Sequence, residues 1–223
     1  MKIFNIASFK RDEQLEKTIA SIYNQSDKIN VSLNSHLEIP SFLKDPKINP
    51  VITDNSLGDG HRYFNLENEN GFFFTCDDDI IYPKNYAEVL IDRYEPKKIL
   101  TFHGRSFKKF PISSYYNSPR TVYHFLHFLG ADVRVQFGGT GVMMFNTNDF
   151  RFKLEDIKYP NMADILVAKF AKEQRLEIIC VKHNVGFLQY QADVKATIFK
   201  KHQFDDSKQT TIANEMFHYN NRL

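Results

Sequence analysis

The chain has 223 residues, enough for one domain with a substantial core. Its 42% hydrophobic and 25% charged content excludes a disordered chain, and no apolar run approaches the length of a membrane span. Twenty-nine basic residues against 27 acidic ones leave a net charge of +2, which argues against a dedicated nucleic-acid binder.

Ile3, Phe4 and Ile6 predict a buried strand ending near Ser8. The polar Lys10-Arg11-Asp12-Glu13 that follows reads as the exit from a first strand, not as a signal peptide. Leu15, Ile19 and Ile22 share a helical face, with Glu13 and Lys17 as an i,i+4 pair. Residues 30–34 predict a second strand, 35–50 a proline-bearing loop, and 51–53 a short third strand closed by the turn-rich segment 54–60. Residues 71–76 form the strongest strand candidate, and Pro83 suits the first turn of a helix carrying Tyr86, Val89 and Leu90.

Further along, 99–102 predicts a strand and 104–120, basic and aromatic, a mobile loop. Strands are expected at 133–137 and 142–145, around Gly138-Gly139-Thr140-Gly141, then a helix at 162–174 and a strand at 177–181. The 197–223 tail is polar and charged. Strand and helix alternate in the first half, which predicts an α/β layered sheet, and the mixed second half predicts an antiparallel addition. Cys76 and Cys180 lie in or beside apolar runs and read as buried thiols of a reducing, cytoplasmic compartment.

Asp77, Asp78 and Asp79 stand directly after the apolar run Phe72-Phe73-Phe74. In an open α/β sheet, ligands bind beyond the carboxyl ends of the strands. Strand alternation would point Asp77 and Asp79 the same way and Asp78 elsewhere. Two converging carboxylates suit Mn²⁺ or Mg²⁺, which take oxygen ligands and whose charge offsets the repulsion. Helix capping accounts for one aspartate, not three.

On these residues the chain resembles a small GT-A-type glycosyltransferase close to family 2. The Asp77-Asp78-Asp79 run matches that group's DxD motif. Ile6-Ala7-Ser8-Phe9-Lys10-Arg11 stands where the family has a strand followed by S-Y-N-R, and Asn24-Gln25 matches the end of its first helix. Residues 54–60 and Gly138-Gly139-Thr140-Gly141-Val142 resemble its later segments. Phe9 and Lys10 depart from the usual Tyr and Asn, and the family's frequent downstream Trp is missing because the chain has none.

The resemblance implies a GT-A, Rossmann-like mixed sheet flanked by helices. It implies one catalytic domain over 1–196, with a nucleotide-sugar half at 1–103 and an acceptor half at 104–196. It also implies a metal-dependent inverting transfer from a nucleotide-diphosphate sugar, expected to be UDP-linked, to a glycan hydroxyl. Asp164, near the start of the 162–174 helix, would be the general base, with Glu155 and Asp156 as weaker alternatives. Ser8, Arg11, Asn34, Asp54, Asp59, Arg62, Asp77 and Asp78 would line the donor site. Asp79, Asp77 and His183 would hold the metal. Lys200, Lys201 and His202 would close over the phosphates, and Arg105, Lys108 and Lys109 would shape the acceptor side. A cytoplasmic enzyme of this kind is compatible with association at the inner face of a membrane. Two rivals remain: a sugar nucleotidyltransferase, which calls for a glycine-rich basic loop after the first strand, and a non-catalytic nucleotide- or sugar-binding module.

Overall fold

The computed structural model describes residues 1–191 and 205–218. Thirteen strands occur among them. Eight build the central sheet: β1 (Lys2–Ser8), β2 (Lys28–Asn34), β3 (Ile48–Thr53), β4 (Phe72–Asp77), β6 (Lys98–Thr101), β9 (Val133–Val135), β11 (Val142–Asn146) and β12 (Glu177–Cys180). Their spatial order is β3-β2-β1-β4-β11-β6-β12-β9. The first four run parallel, β6 and β12 share their direction, and β11 and β9 are antiparallel to their neighbours. The architecture is therefore the mixed α/β sheet flanked by helices that the sequence predicts.

Helices α1 (Asp12–Ile22) and α2 (Tyr86–Ile91) cover one face, and α3 (Ala163–Glu173) and α4 (Ser207–His218) pack into the core on the other. The triple phenylalanine shows why the strand is so apolar. Phe74 stacks on Phe4 at 4.5 Å in the first layer, while Phe73 stacks on Phe145 at 5.2 Å in the second. A strand covered on both faces needs apolar residues at consecutive positions.

A polar ladder crosses the parallel half of the sheet. Asn5, Asn30 and Asn49 stand at matched register on β1, β2 and β3 and bond side chain to side chain at 2.8 and 3.0 Å. Glu69 Oε1 ends the ladder, accepting from Asn30, Lys28 and Asn65. Because a one-residue slip would leave these buried groups unpaired, the ladder specifies register as well as stability.

The 104–120 segment is not the loop expected. β7 (Gly104–Phe107) and β8 (Arg120–Tyr123) form an antiparallel pair, joined by β10 (Phe137–Gly138) into a second sheet. The intervening turn is tied to α4. Asp206 accepts from Ser114 Oγ and Tyr116 N, Thr210 Oγ1 accepts from Tyr115 N, and Asn214 exchanges two bonds with the Ile112 backbone. A two-stranded ribbon, β5 (Ile80–Ile81) with β13 (Gln189–Tyr190), completes the fold. Both cysteines are buried free thiols, as the sequence predicts. No helix among the described residues is long and apolar enough to cross a membrane. Lys200, Lys201 and His202 lie outside the described residues, as does the expected 196/197 boundary.

Candidate active site

β4 delivers the aspartates to the carboxyl edge of the parallel strands, but not in the alternating arrangement predicted for them. The strand ends at Asp77, and Asp78 and Asp79 form a turn before β5. The strand's two-residue period therefore stops one residue too early to align Asp77 with Asp79. Asp78 and Asp79 converge instead. A single guanidinium nitrogen, Arg11 Nη1, sits 3.1 Å from Asp78 Oδ1 and 3.0 Å from Asp79 Oδ2. Ser8 Oγ, at the end of β1, donates to Asp78 Oδ2 at 2.7 Å. Thr18 of α1 holds the turn by donating toward the Asp78 and Ile80 carbonyls.

Asp77 turns the other way, onto Arg62 Nη2 at 2.8 Å. Arg62 is fixed by two backbone carbonyls, donating from Nε to Asp59 O at 2.9 Å and from Nη1 to Thr140 O at 2.8 Å. Gly141 makes room for this arrangement, because a Cβ there would overlap the Asp77 carboxylate. Gly139 is likewise pressed against His103. The glycine turn is thus packed at both positions by the protein's own side chains. Gly141→Ala is expected to push Asp77 off Arg62 and cost about 1–3 kcal/mol through overpacking. Thermal unfolding would read this as a Tm lowered by a few degrees, and an unchanged Tm would contradict the contact.

The electrostatics follow from burial. Desolvation raises the carboxyl pKa of Asp78 and of Asp79; for Asp79 the neighbouring Asp77 and Asp78 charges raise it further, and Arg11 opposes the shift at both. Asp59 is pushed up to about 7, chiefly by burial, against the pull of Arg62 and with added push from Asp164 and Asp77. Its Oδ1 is buried with no hydrogen-bond partner, and the Ala163 backbone at the start of α3 lies near enough to the carboxyl to oppose the shift slightly. Asp59 thus links the donor-side turn to the helix that carries Asp164.

Asp164 lies in the first turn of α3. Tyr115 OH donates to its Oδ2 at 3.1 Å, and Arg105 Nη2 stands 3.8 Å from the same oxygen. Arg105 in turn packs over the Tyr115 ring at 4.9 Å. The α4 clamp on residues 112–116 is what presents Tyr115 to this carboxylate.

Ser8, Arg11, Asp78 and Asp79 therefore form one cluster, and Asp77, Arg62 and Asp59 a second that adjoins it, with Asp164 within electrostatic reach of Asp59. Three expected residues stand apart. Asn34 is buried and consumed by its own fold, donating to Gly58 O and accepting from Thr53 and Ser32. Asp54 is exposed and accepts from Ser56 N. His183 donates through Nδ1 to Val181 O at 2.7 Å, and its Nε2 faces His124 O at 3.4 Å. Its ring meets Phe102 edge-on. Among the described residues, no group of three or more His, Cys, Asp or Glu side chains is arranged to hold a metal, so Asp79, Asp77 and His183 are not a ready-made triad. The carboxylate oxygens of Asp78 and Asp79 still suit a hard divalent cation, and a guanidinium already stands on them as a cation.

Several contributors carry no motif in the sequence. Tyr82 OH bridges Asp77 N and Gly141 O at 2.9 and 2.5 Å. Gln191 donates to Gln14 O and Thr18 Oγ1, and its backbone N–H donates to Asp79 O. Such contacts come from distant segments and are not signalled by spacing.

No protein-family profile and no curated protein matches the sequence. Among solved structures, the inositol-1-phosphate CTP transferase from T. maritima is similar, with a TM-score of 0.49 and 10% identity over 97% of this chain and 96% of that one.

Proposed function

We propose that the chain is a metal-dependent transferase acting on nucleotide-activated sugars. The observation that carries this reading is the convergence of Asp78 and Asp79 on Arg11, with the Asp77–Arg62 pair adjoining them, at the carboxyl end of β4. Oxygen ligands for Mn²⁺ or Mg²⁺ lie beside the partly exposed Arg11 guanidinium, whose fork of donors matches phosphate oxygens. A bound metal would supply Lewis-acid stabilisation of a leaving diphosphate. Ser8 and Arg11 orient the carboxylates, and Arg62 fixes Asp77.

Within that class we favour glycosyl transfer from a UDP-linked sugar to a glycan hydroxyl. Only three residues, Phe9, Lys10 and Arg11, separate β1 from α1, and none is glycine. That connection lacks the glycine-rich loop that nucleotidyl transfer calls for after the first strand. Asp164, oriented by Tyr115, would take the proton from the acceptor hydroxyl.

Nucleotidyl transfer is the second reading. Arg105, largely buried beside Asp164, offers a cation for a sugar phosphate. It is also the reaction type named for the T. maritima structure.

A product assay separates the two readings. The chain and Mn²⁺ are incubated with UDP-sugars plus oligosaccharide acceptors, and separately with CTP or UTP plus sugar 1-phosphates. Release of nucleoside diphosphate in the first mixture is expected. Release of pyrophosphate in the second, with none of the diphosphate in the first, would transfer the assignment to nucleotidyl transfer.

A further inference from the structure

The two arginines at the carboxylates are held in different ways. Arg62 is almost completely buried, and two of its three bonds go to backbone carbonyls that cannot move away. Its guanidinium is a permanent part of the wall. Arg11 is about 29% exposed, and its backbone is tied separately into the start of α1, where its carbonyl accepts from Leu15 N at 2.9 Å. The start of α1 is therefore tied through the Arg11 backbone and not through its carboxylate-facing guanidinium.

The oxygens that Arg11 holds are the ones a divalent ion would take. One nitrogen touches Asp78 Oδ1 and Asp79 Oδ2 together. A guanidinium and a divalent cation cannot share that pair of oxygens, because their positive charges would lie within a few ångströms of each other in a partly desolvated site.

We propose that Arg11 is a displaceable counter-cation. It neutralises Asp78 and Asp79 while no metal is present, competes with the metal for them, and swings away when the ion binds. This rests on the metal-dependent reading above and adds an exchange step to it. The swing also delivers a guanidinium to the mouth of the site as a phosphate-bearing donor arrives, where its fork of donors suits phosphate oxygens. Metal and donor would then bind cooperatively, because each makes the displaced position of Arg11 more favourable.

The test is Mn²⁺ binding to the full chain without nucleotide, read by the electron paramagnetic resonance signal of free Mn²⁺. Wild type, Arg11→Gln and Arg11→Lys are compared, with Asp79→Asn as the site control. Arg11→Gln should bind Mn²⁺ about tenfold more tightly than wild type, because no charge-assisted bond has to be broken first. Arg11→Lys, which keeps the charge but not the fork, should fall between them, and it carries the test if far-UV circular dichroism shows Arg11→Gln unfolded. Affinity unchanged or weakened in the folded Arg11 variant, with binding still lost in Asp79→Asn, would overturn the exchange while leaving the metal reading intact. No Mn²⁺ binding by wild type or by either Arg11 variant would remove the metal reading, and the exchange with it.

Discussion

Replacing Arg62 with alanine is expected to destabilise the fold by about 3 kcal/mol, the range found when one partner of a buried ion pair is removed. Arg62 is 4% exposed and makes three bonds, to Asp59 O, Thr140 O and Asp77 Oδ1. Its loss strands two carbonyls and leaves the buried Asp59 carboxyl without its compensating charge. Asp77 is about 40% exposed at its side chain, so water relieves part of that penalty and keeps the figure at the lower end of the range. For a chain of this length, about 3 kcal/mol is a fall in Tm of roughly 10 °C. Arg62→Lys should recover only part of the loss, since an ammonium cannot span all three acceptors. A Tm within about 2 °C of wild type for Arg62→Ala would show that the site is not organised around this guanidinium.

The second large effect concerns pH. His103, just beyond β6, has a buried Nδ1 with no hydrogen-bond partner and meets His124 edge-on at 4.7 Å. Burial lowers its pKa to about 3, and the charges of Arg105, His124 and His183 add to the shift. In the unfolded chain it takes a proton near the ordinary histidine value of about 6.5. Below that pH the unfolded state binds the extra proton, so stability attributable to His103 is present above about 6.5 and is lost as pH falls toward 3. The slope is about 1.4 kcal/mol per pH unit at most, since the ring keeps some solvent contact.

Asp59 and Asp79 act in the opposite sense. Their raised values mean that the folded state holds protons that the unfolded state has released, so their contribution is full at low pH and is lost as pH rises toward 7. The wild-type profile mixes these terms, whereas a difference between variants isolates one of them. Urea unfolding of wild type and His103→Gln should show the variant gaining up to about 3 kcal/mol on wild type between pH 7 and pH 4.5. Parallel profiles would mean that His103 accepts its proton in the folded state as readily as in the unfolded one.

Much of this architecture is legible in the residues themselves. The four parallel strands and the antiparallel insertion follow from apolar runs and turn residues, and the two-faced burial of Phe72-Phe73-Phe74 follows from their continuity. Asp77, Asp78 and Asp79 are marked by the conflict between three adjacent charges and the strand that leads to them. What the residues do not carry is the end of that strand. Alternation assigns Asp77 and Asp79 to one side only while β4 lasts, and β4 stops at Asp77. The 104–120 hairpin is hidden for a related reason. Its strands are four residues each and hold Arg105 and Arg120 in place of alternating apolar positions, and the turn between them is secured from α4 about 90 residues away. His183 looks free at a strand end, yet the backbone carbonyls of Val181, two residues back, and of His124 face its two ring nitrogens. Asn34 is similar, since Thr53 and Gly58 take up its amide.

The central claim is that these carboxylates bind a nucleotide through a metal. Calorimetric titration of UDP and GDP into the chain, each with and without Mn²⁺, on wild type and Asp79→Ala tests it most directly. Binding of UDP that needs Mn²⁺ and disappears in Asp79→Ala is the predicted result. Binding of neither nucleotide in the presence of Mn²⁺, or UDP binding indifferent to both the metal and Asp79, would contradict it.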